Sequence, residues 1–265
     1  MWGVTDPVED CFARFKAKGY DGVEFPSADK MTQDVTAETL RGALETHGLM
    51  SSLQTFTAGT TVAEHVRSFR EELDLVLPFK PARLACHSGA DWFSVKDAIG
   101  FYREIVKIEQ DLGITVAHET HRGRVFYNPW TTRDVLQEVP EVKVLCDYSH
   151  WVCVCERIPD EPEIFELCAD RCEHLHARIG YAEGPQVTDP DAPEFAEQRA
   201  AHEGWWRQIW DKQRERGDSV TTVTPEFGPP PYLHTLPFSE KPVADLEDLC
   251  DRQAGNLRAL FKRTF

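Results

Sequence analysis

The stretch VKVLCDYSHWVCVCER, residues 142–157, runs from an apolar segment into an acid, a serine, a histidine and two close cysteines. Three readings compete for it: a thiol or zinc site, a Ser/His hydrolase fragment, or the tip of a strand that offers an oxygen and a nitrogen to a metal. The run 142–147 is short, rich in valine and leucine, and followed by polar residues. That pattern predicts a buried strand ending at Asp147.

The same beat repeats in both directions. Strands are predicted at 2–4, 21–25, 51–55, 82–87, 114–119, 142–147, 173–177 and 220–226. Helices are predicted near 7–18, 36–47, 61–78, 94–112, 131–138, 161–171, 193–215 and 242–262. Thr36 with Glu38 and Thr39 reads as a helix start, and Pro7 and Pro162 stand at predicted first turns. Gly19, Gly48 and Gly113 each stand where a helix should stop before the next strand. Strands alternating with helices imply parallel pairing through right-handed crossovers. Eight of each predict an α/β protein built as a (β/α)₈ TIM barrel. No linker or low-complexity stretch divides the chain, so one domain over 1–265 is expected.

Composition excludes several classes. A net charge of −16 repels phosphate backbones and anionic membrane surfaces, so neither nucleic acid nor membrane is an expected partner. Eight cysteines in 265 residues are too few for a disulfide scaffold. No apolar run is long enough to cross a bilayer, and MWGVTDPVED does not resemble a secretory signal. A cytoplasmic, reduced protein is expected, with a homo-oligomer left open.

The strand endings carry the chemistry. The predicted strands of the second half deliver Glu119, Asp147, His176 and Glu226 in turn, one each, to the rim where TIM-barrel active sites lie. Three carboxylates and an imidazole suit one divalent ion, with Mn²⁺ first and Mg²⁺, Co²⁺ or Zn²⁺ as alternatives. His87 ends another strand and reads equally as a substrate contact or as a partner of a metal ligand. Glu24 is similar, its alternative being a pair with a nearby lysine or arginine. His121 and Arg122 follow Glu119 and suit an acidic or hydroxylated substrate, or simply order the loop. His118 alternates with Glu119 and should point away from the metal. Trp2 and Trp92 are placed to wall the pocket, whereas Trp206 and Trp210, four apart, should pack a helix on the barrel. Two long connections, 178–195 and 227–242, follow strands and read as lids carrying Tyr181 and His234.

GYDGVEFP, ETHRGR, the D-x-x-H of DYSH, the H-x-R of HAR, and TPEFGPP together resemble the xylose isomerase-like TIM-barrel superfamily, with sugar phosphate isomerases/epimerases as its nearer relatives. The resemblance spans nearly the whole chain. It implies one metal ion held, as in ketose 3-epimerases, by Glu119, Asp147, His176 and Glu226. It also implies substrate contacts at His150 and, with a shorter spacing than the family's, at Arg178.

These features answer the opening question in favour of the strand tip. Ser149 lacks a G-x-S-x-G context, and the cysteines lack paired C-x-x-C knuckles. The expected function is a metal-dependent isomerase or epimerase of a small sugar or other polyhydroxy-carbonyl compound. It would proceed through a metal-stabilised enediolate, with Glu119 and Glu226 moving the proton. A lyase or dehydratase of a hydroxy-ketone is the alternative on the same residues. An endonuclease IV-like DNA repair enzyme would need further ligands, for which Asp189 and Asp191 lack a following histidine. A non-catalytic barrel would be expected to show a broken ligand set.

Overall fold

The computed structural model describes residues 1–4, 6–25 and 36–264. Its centre is a parallel sheet of seven strands in sequential order: β1 Gly22–Phe25, β2 Met50–Phe56, β3 Arg83–His87, β4 Ala117–Glu119, β5 Lys143–Cys146, β6 Cys172–His176 and β7 Val223–Thr224. The helices are α1 Val8–Ala17, α2 Ala37–His47, α3 Val62–Val76, α4 Val95–Leu112, α5 Pro129–Glu138, α6 Ser149–Cys155, α7 Pro162–Ala169, α8 Ala196–Arg216 and α9 Leu246–Thr264. Strand and helix alternate, and the sheet curls into a nearly closed TIM barrel.

One predicted strand does not form. Residues 2–4 make a turn instead, in which the Val4 amide donates to the Met1 carbonyl at 3.2 Å and Gly3 takes a φ of +81°. Three residues interrupted by a left-handed glycine cannot build a ladder. Among the described strands β1 and β7 are therefore the edges, and a seam separates them. All eight predicted helices are present, and α6 is an additional one. Pro162 starts α7 and the Thr36 side chain caps α2, accepting from the Thr39 amide at 3.2 Å. Gly48 and Gly113 close α2 and α4 in left-handed conformation.

Period-two alternation sorts the strand residues. Outward-facing Val23, Phe25, Leu53, Leu84, Cys86, Val116, Val144, Cys146 and Leu175 join helix residues such as Phe69, Phe101, Ile105 and Leu136 in the main core. Inward residues form only a small separate apolar cluster of Ala85, Ala117 and Leu145. The rest of the interior is polar, with Ser52, Gln54 and His174 nearly buried. Barrel interiors are usually filled by branched apolar side chains. Here small and polar ones leave a cavity of about 1580 Å³, lined at the mouth by His87, Glu119, Arg178 and Glu226 and continuing along the β1/β7 seam. That continuation makes it larger than an ordinary small-molecule site of roughly 300–1,000 Å³.

Candidate active site

β4 ends on Glu119, Asp147 follows β5, β6 ends on His176, and Glu226 follows β7. Parallel strands in register bring these four residues to one rim, where ligand atoms of all four lie within 4.8 Å of one another. His176 Nδ1 stands 2.9 Å from Glu226 Oε2 and 3.6 Å from Glu119 Oε1. Despite this closeness, His176 Nδ1, Glu226 Oε2 and Glu119 Oε2 are buried without an aligned hydrogen-bond partner. Buried polar atoms seldom stay unpaired. His176 Nδ1 and Glu226 Oε2 face each other, with Glu119 Oε1 3.6 Å from the same nitrogen, a donor set that a cation would satisfy.

Asp147 is held differently. Its Oδ1 accepts the Ser149 amide at 3.0 Å and the Ser149 hydroxyl at 2.5 Å, while Oδ2 accepts Arg178 Nη2 at 2.5 Å. The Asp147 amide in turn donates to Thr120 Oγ1 at 2.7 Å. Burial pushes its carboxyl up to about 6; Arg178 opposes that rise, and the neighbouring Glu226 and Glu119 add to it. Burial also acts to raise Glu119 and Glu226. The imidazoles of His87 and His176 nevertheless hold Glu119 well below the usual carboxylate range, and Arg178 with His176 holds Glu226 below it. Burial disfavours charge on His176, but Glu226, Glu24 and Glu119 outweigh it and raise the imidazole well above its ordinary value. Negative charge dominates: Arg178 pairs with Asp147 and Glu226, while Glu24 and Glu119 meet His176. Such an excess fits a divalent cation.

Among the described residues two other groups have metal-capable atoms within the same span, Glu24 with His174 and His176, and His87 with Glu119 and His121. Their nitrogens are committed elsewhere. His174 bonds Thr222 Oγ1 at 2.8 Å and Thr224 Oγ1 at 2.9 Å, and His121 Nδ1 donates to the Arg122 carbonyl at 2.6 Å. Among these groups, the set Glu119, Asp147, His176 and Glu226 brings together the unpaired His176 Nδ1 and Glu226 Oε2.

The remaining expected contacts surround this centre. His150, in the first turn of α6, accepts from Arg178 Nη2 at Nε2, 2.8 Å away. Its Nδ1 then carries the proton and, like Arg178 Nη1, is buried without a partner. Burial, with His121 and Arg178 nearby, holds the His150 pKa well below normal. His121 stacks obliquely between His87 and His150, with ring centroids 4.4 and 3.9 Å away. Burial and then His87 bring its pKa down to about 3. His87 Nε2 lies 2.7 Å from Glu119 Oε2, so the structure favours its reading as a partner of Glu119.

Other placements differ from expectation. Among the described residues Glu24 pairs with no lysine or arginine; its carboxylate meets His176 Nε2 at 3.0 and 3.1 Å. Trp92 is 57% exposed and packs edge-on to Phe93, away from the cavity wall. Tyr181 packs against Phe195, and His234 is exposed; neither lines the cavity. Trp2 does line it, with its ring edge-on to Tyr232. His118 turns outward as expected, its Nε2 2.8 Å from Glu109 of α4.

Two features escaped sequence reading. Tyr232 lies under both Arg178 and Arg122, with the guanidinium carbons 4.9 and 5.1 Å from its ring centre. Its signal was its place in the proline-rich loop. Gln186 joins the two long loops through its amide, which exchanges hydrogen bonds with the Gly228 backbone at 2.7 and 3.1 Å. Asp189 and Asp191 are both paired with Arg252 of α9.

Comparison with solved structures shows the same fold at low identity. The probable 3-DHS dehydratase involved in petrobactin synthesis from Bacillus anthracis superposes with a TM-score of 0.63 at 15% identity, covering 97% of this chain and 95% of that one. The 3-keto-D-glucoside 4-epimerase from E. coli gives 0.63 at 12% identity, with 97% and 96% covered. A xylose isomerase-like TIM-barrel protein from Mycobacterium smegmatis, in complex with magnesium, gives 0.60 at 13% identity, with 97% and 88% covered. No protein of curated function matches the sequence. The family model described as xylose isomerase-like TIM barrel matches residues 12–193, a span that holds Glu24, Glu119, Asp147 and His176. The chain belongs to the xylose isomerase-like TIM-barrel family.

Proposed function

We propose that this protein is a divalent-metal-dependent isomerase or epimerase of a small sugar or related polyhydroxy-carbonyl compound. The observation that carries the reading is the convergence of Glu119, Asp147, His176 and Glu226, with His176 Nδ1 and Glu226 Oε2 unpaired. These four residues would hold the ion, Mn²⁺ by preference for a set of three carboxylates and one imidazole. When bound there, the cation supplies Lewis-acid charge beside the oxygen on which negative charge develops.

The chain's own residues account for the rest. Glu119 and Glu226 approach from different strands on either side of His176 Nδ1, so each can hold a proton on one face of a substrate lying between them. The free Nδ1–H of His150 and Nη1 of Arg178 are donors for substrate oxygens. Tyr232 and Trp2 wall the mouth and limit water there. The net charge of −16 and the capture of Asp189 and Asp191 by Arg252 speak for a small molecule and against a nucleic acid.

A second reading is a lyase that expels water from a hydroxy-ketone, supported by the likeness to the probable dehydratase over nearly the whole of both chains. It uses the same proton abstraction. The test is incubation of Mn²⁺-loaded protein with ketoses and cyclic hydroxy-ketones in deuterated water. Deuterium next to the carbonyl with the carbon skeleton and oxygen count intact supports the isomerase or epimerase. Loss of water supports the lyase. Neither change with any polyhydroxy-carbonyl compound contradicts both readings.

A further inference from the structure

We propose that Glu24 is a positioning residue, whose carboxylate takes the Nε2–H of His176 and so fixes Nδ1 as the nitrogen offered to a cation between Glu119 and Glu226. The inference rests on the metal reading of this site and goes beyond it, because Glu24 lies outside the four-residue set.

The geometry defines the role. Both Glu24 oxygens lie within hydrogen-bond reach of His176 Nε2, at 3.0 and 3.1 Å. An ionised carboxylate only accepts hydrogen bonds, so Nε2 must carry the hydrogen. With the Nε2 hydrogen held by Glu24, Nδ1 is the nitrogen whose proton a bound cation would replace. Nδ1 is also the atom that is buried, unpaired and 2.9 Å from Glu226 Oε2. A carboxylate on the far nitrogen of a metal-binding histidine fixes both its tautomer and its ring orientation.

Glu24 is itself held in place. It stands near the end of β1 opposite Ser52 of β2. The Ser52 hydroxyl donates to its Oε1 at 3.2 Å, and Gln54 Nε2 donates to the same oxygen at 3.4 Å. Its side chain is 9% exposed, and its ion-pair partners among the described residues are His174 and His176. His174 is locked on Thr222 and Thr224, so it braces this floor from the other side. A buried carboxylate is costly unless its charge is used. Here it serves the imidazole and, through it, the cation.

The test compares Mn²⁺ binding by metal-free full-length wild type, Glu24→Gln and Glu24→Asp, together with the unfolding midpoint of each metal-free protein. Gln keeps the shape but loses the charge, and its amide can donate to Nε2 and so favour the wrong tautomer. Glu24→Gln should weaken Mn²⁺ binding about 10–100-fold, with Glu24→Asp weakened less because it keeps the carboxylate. A role in packing alone predicts the reverse order, with Gln tolerated and Asp harmful, and that order would overturn the proposal. So would Mn²⁺ affinity in Glu24→Gln within about threefold of wild type, since a lost orienting partner costs more. If Glu24→Gln does not fold, the Ser52→Ala/Gln54→Ala double variant frees Glu24 and must still weaken binding several-fold. Wild type that binds no Mn²⁺ would overturn the metal reading itself and this inference with it, whereas equal binding by both proteins overturns this inference alone.

Discussion

A single guanidinium nitrogen, Arg178 Nη2, reaches His150 Nε2 at 2.8 Å and Asp147 Oδ2 at 2.5 Å. It therefore couples a proposed substrate contact to a proposed metal ligand. The arrangement separates their roles. His150 meets the guanidinium with its only acceptor and keeps a free donor, whereas Asp147 is anchored through both oxygens.

Replacing His150 with alanine should accordingly lower turnover while leaving one Mn²⁺ per chain. Metal content by elemental analysis, alongside activity on the substrate identified by exchange, checks this. Loss of the metal in His150→Ala would make the imidazole a ligand instead.

Glu119→Gln and Glu226→Gln should each cut turnover by roughly 10²–10⁴ at saturating Mn²⁺, the amount lost when a general base is removed. Each should also suppress deuterium exchange next to the substrate carbonyl. Full exchange in both variants would clear these glutamates and direct attention to His87, which lies 2.7 Å from Glu119 Oε2.

Gly180 is a place where the backbone itself limits the site. A Cβ there would fall 2.3 Å from the Ser149 carbonyl oxygen, a clash with main chain. Gly180→Ala should therefore displace the start of α6, loosen the Ser149 contacts to Asp147 and destabilise the fold by roughly 1–3 kcal/mol. Chemical denaturation measures the loss, and Mn²⁺ affinity should fall with it. Wild-type stability and affinity in this variant would show that α6 yields without cost.

Acid sensitivity should come in part from His202 of α8. Its ring is fully buried, accepting from the Gly180 amide at 3.3 Å and donating to the Gln198 carbonyl at 2.8 Å. Burial brings its pKa down from 6.5 to about 4. Between those values the unfolded chain binds the proton and the folded chain does not. Stability from this group is thus complete above pH 6.5 and is lost as pH falls towards 4, by roughly 3 kcal/mol. Denaturation curves across this window should show a shallower decline for His202→Gln than for wild type. Identical slopes would refute the assignment.

Much of this was legible in the chain because two signals are local. Apolar runs alternating with amphipathic segments located seven of eight expected strands and every expected helix. A polar side chain at the end of each run identified Glu119, Asp147, His176 and Glu226. What stayed hidden depends on contacts across the barrel. Glu24 and His176 are 152 residues apart, so nothing near either one announces that they meet. Tyr232 reaches the site because a loop folds back, and Tyr181 and His234 do not, although all three sit in equally plausible segments. Trp2 to Val4 has strand-forming residues, but the Gly3 turn overrides that preference. The helix α6 begins two residues beyond Asp147, where DYSHWVCVC carries no clear helical period.

The central claim is that Glu119, Asp147, His176 and Glu226 together hold one divalent ion at the mouth of the barrel. Anomalous diffraction from a crystal of the protein loaded with Mn²⁺ tests it most directly. The account predicts one strong anomalous peak per chain, bounded by the carboxylates of Glu119, Asp147 and Glu226 and by His176 Nδ1. A crystal with no peak among these four residues, or with its manganese bound elsewhere, would contradict it.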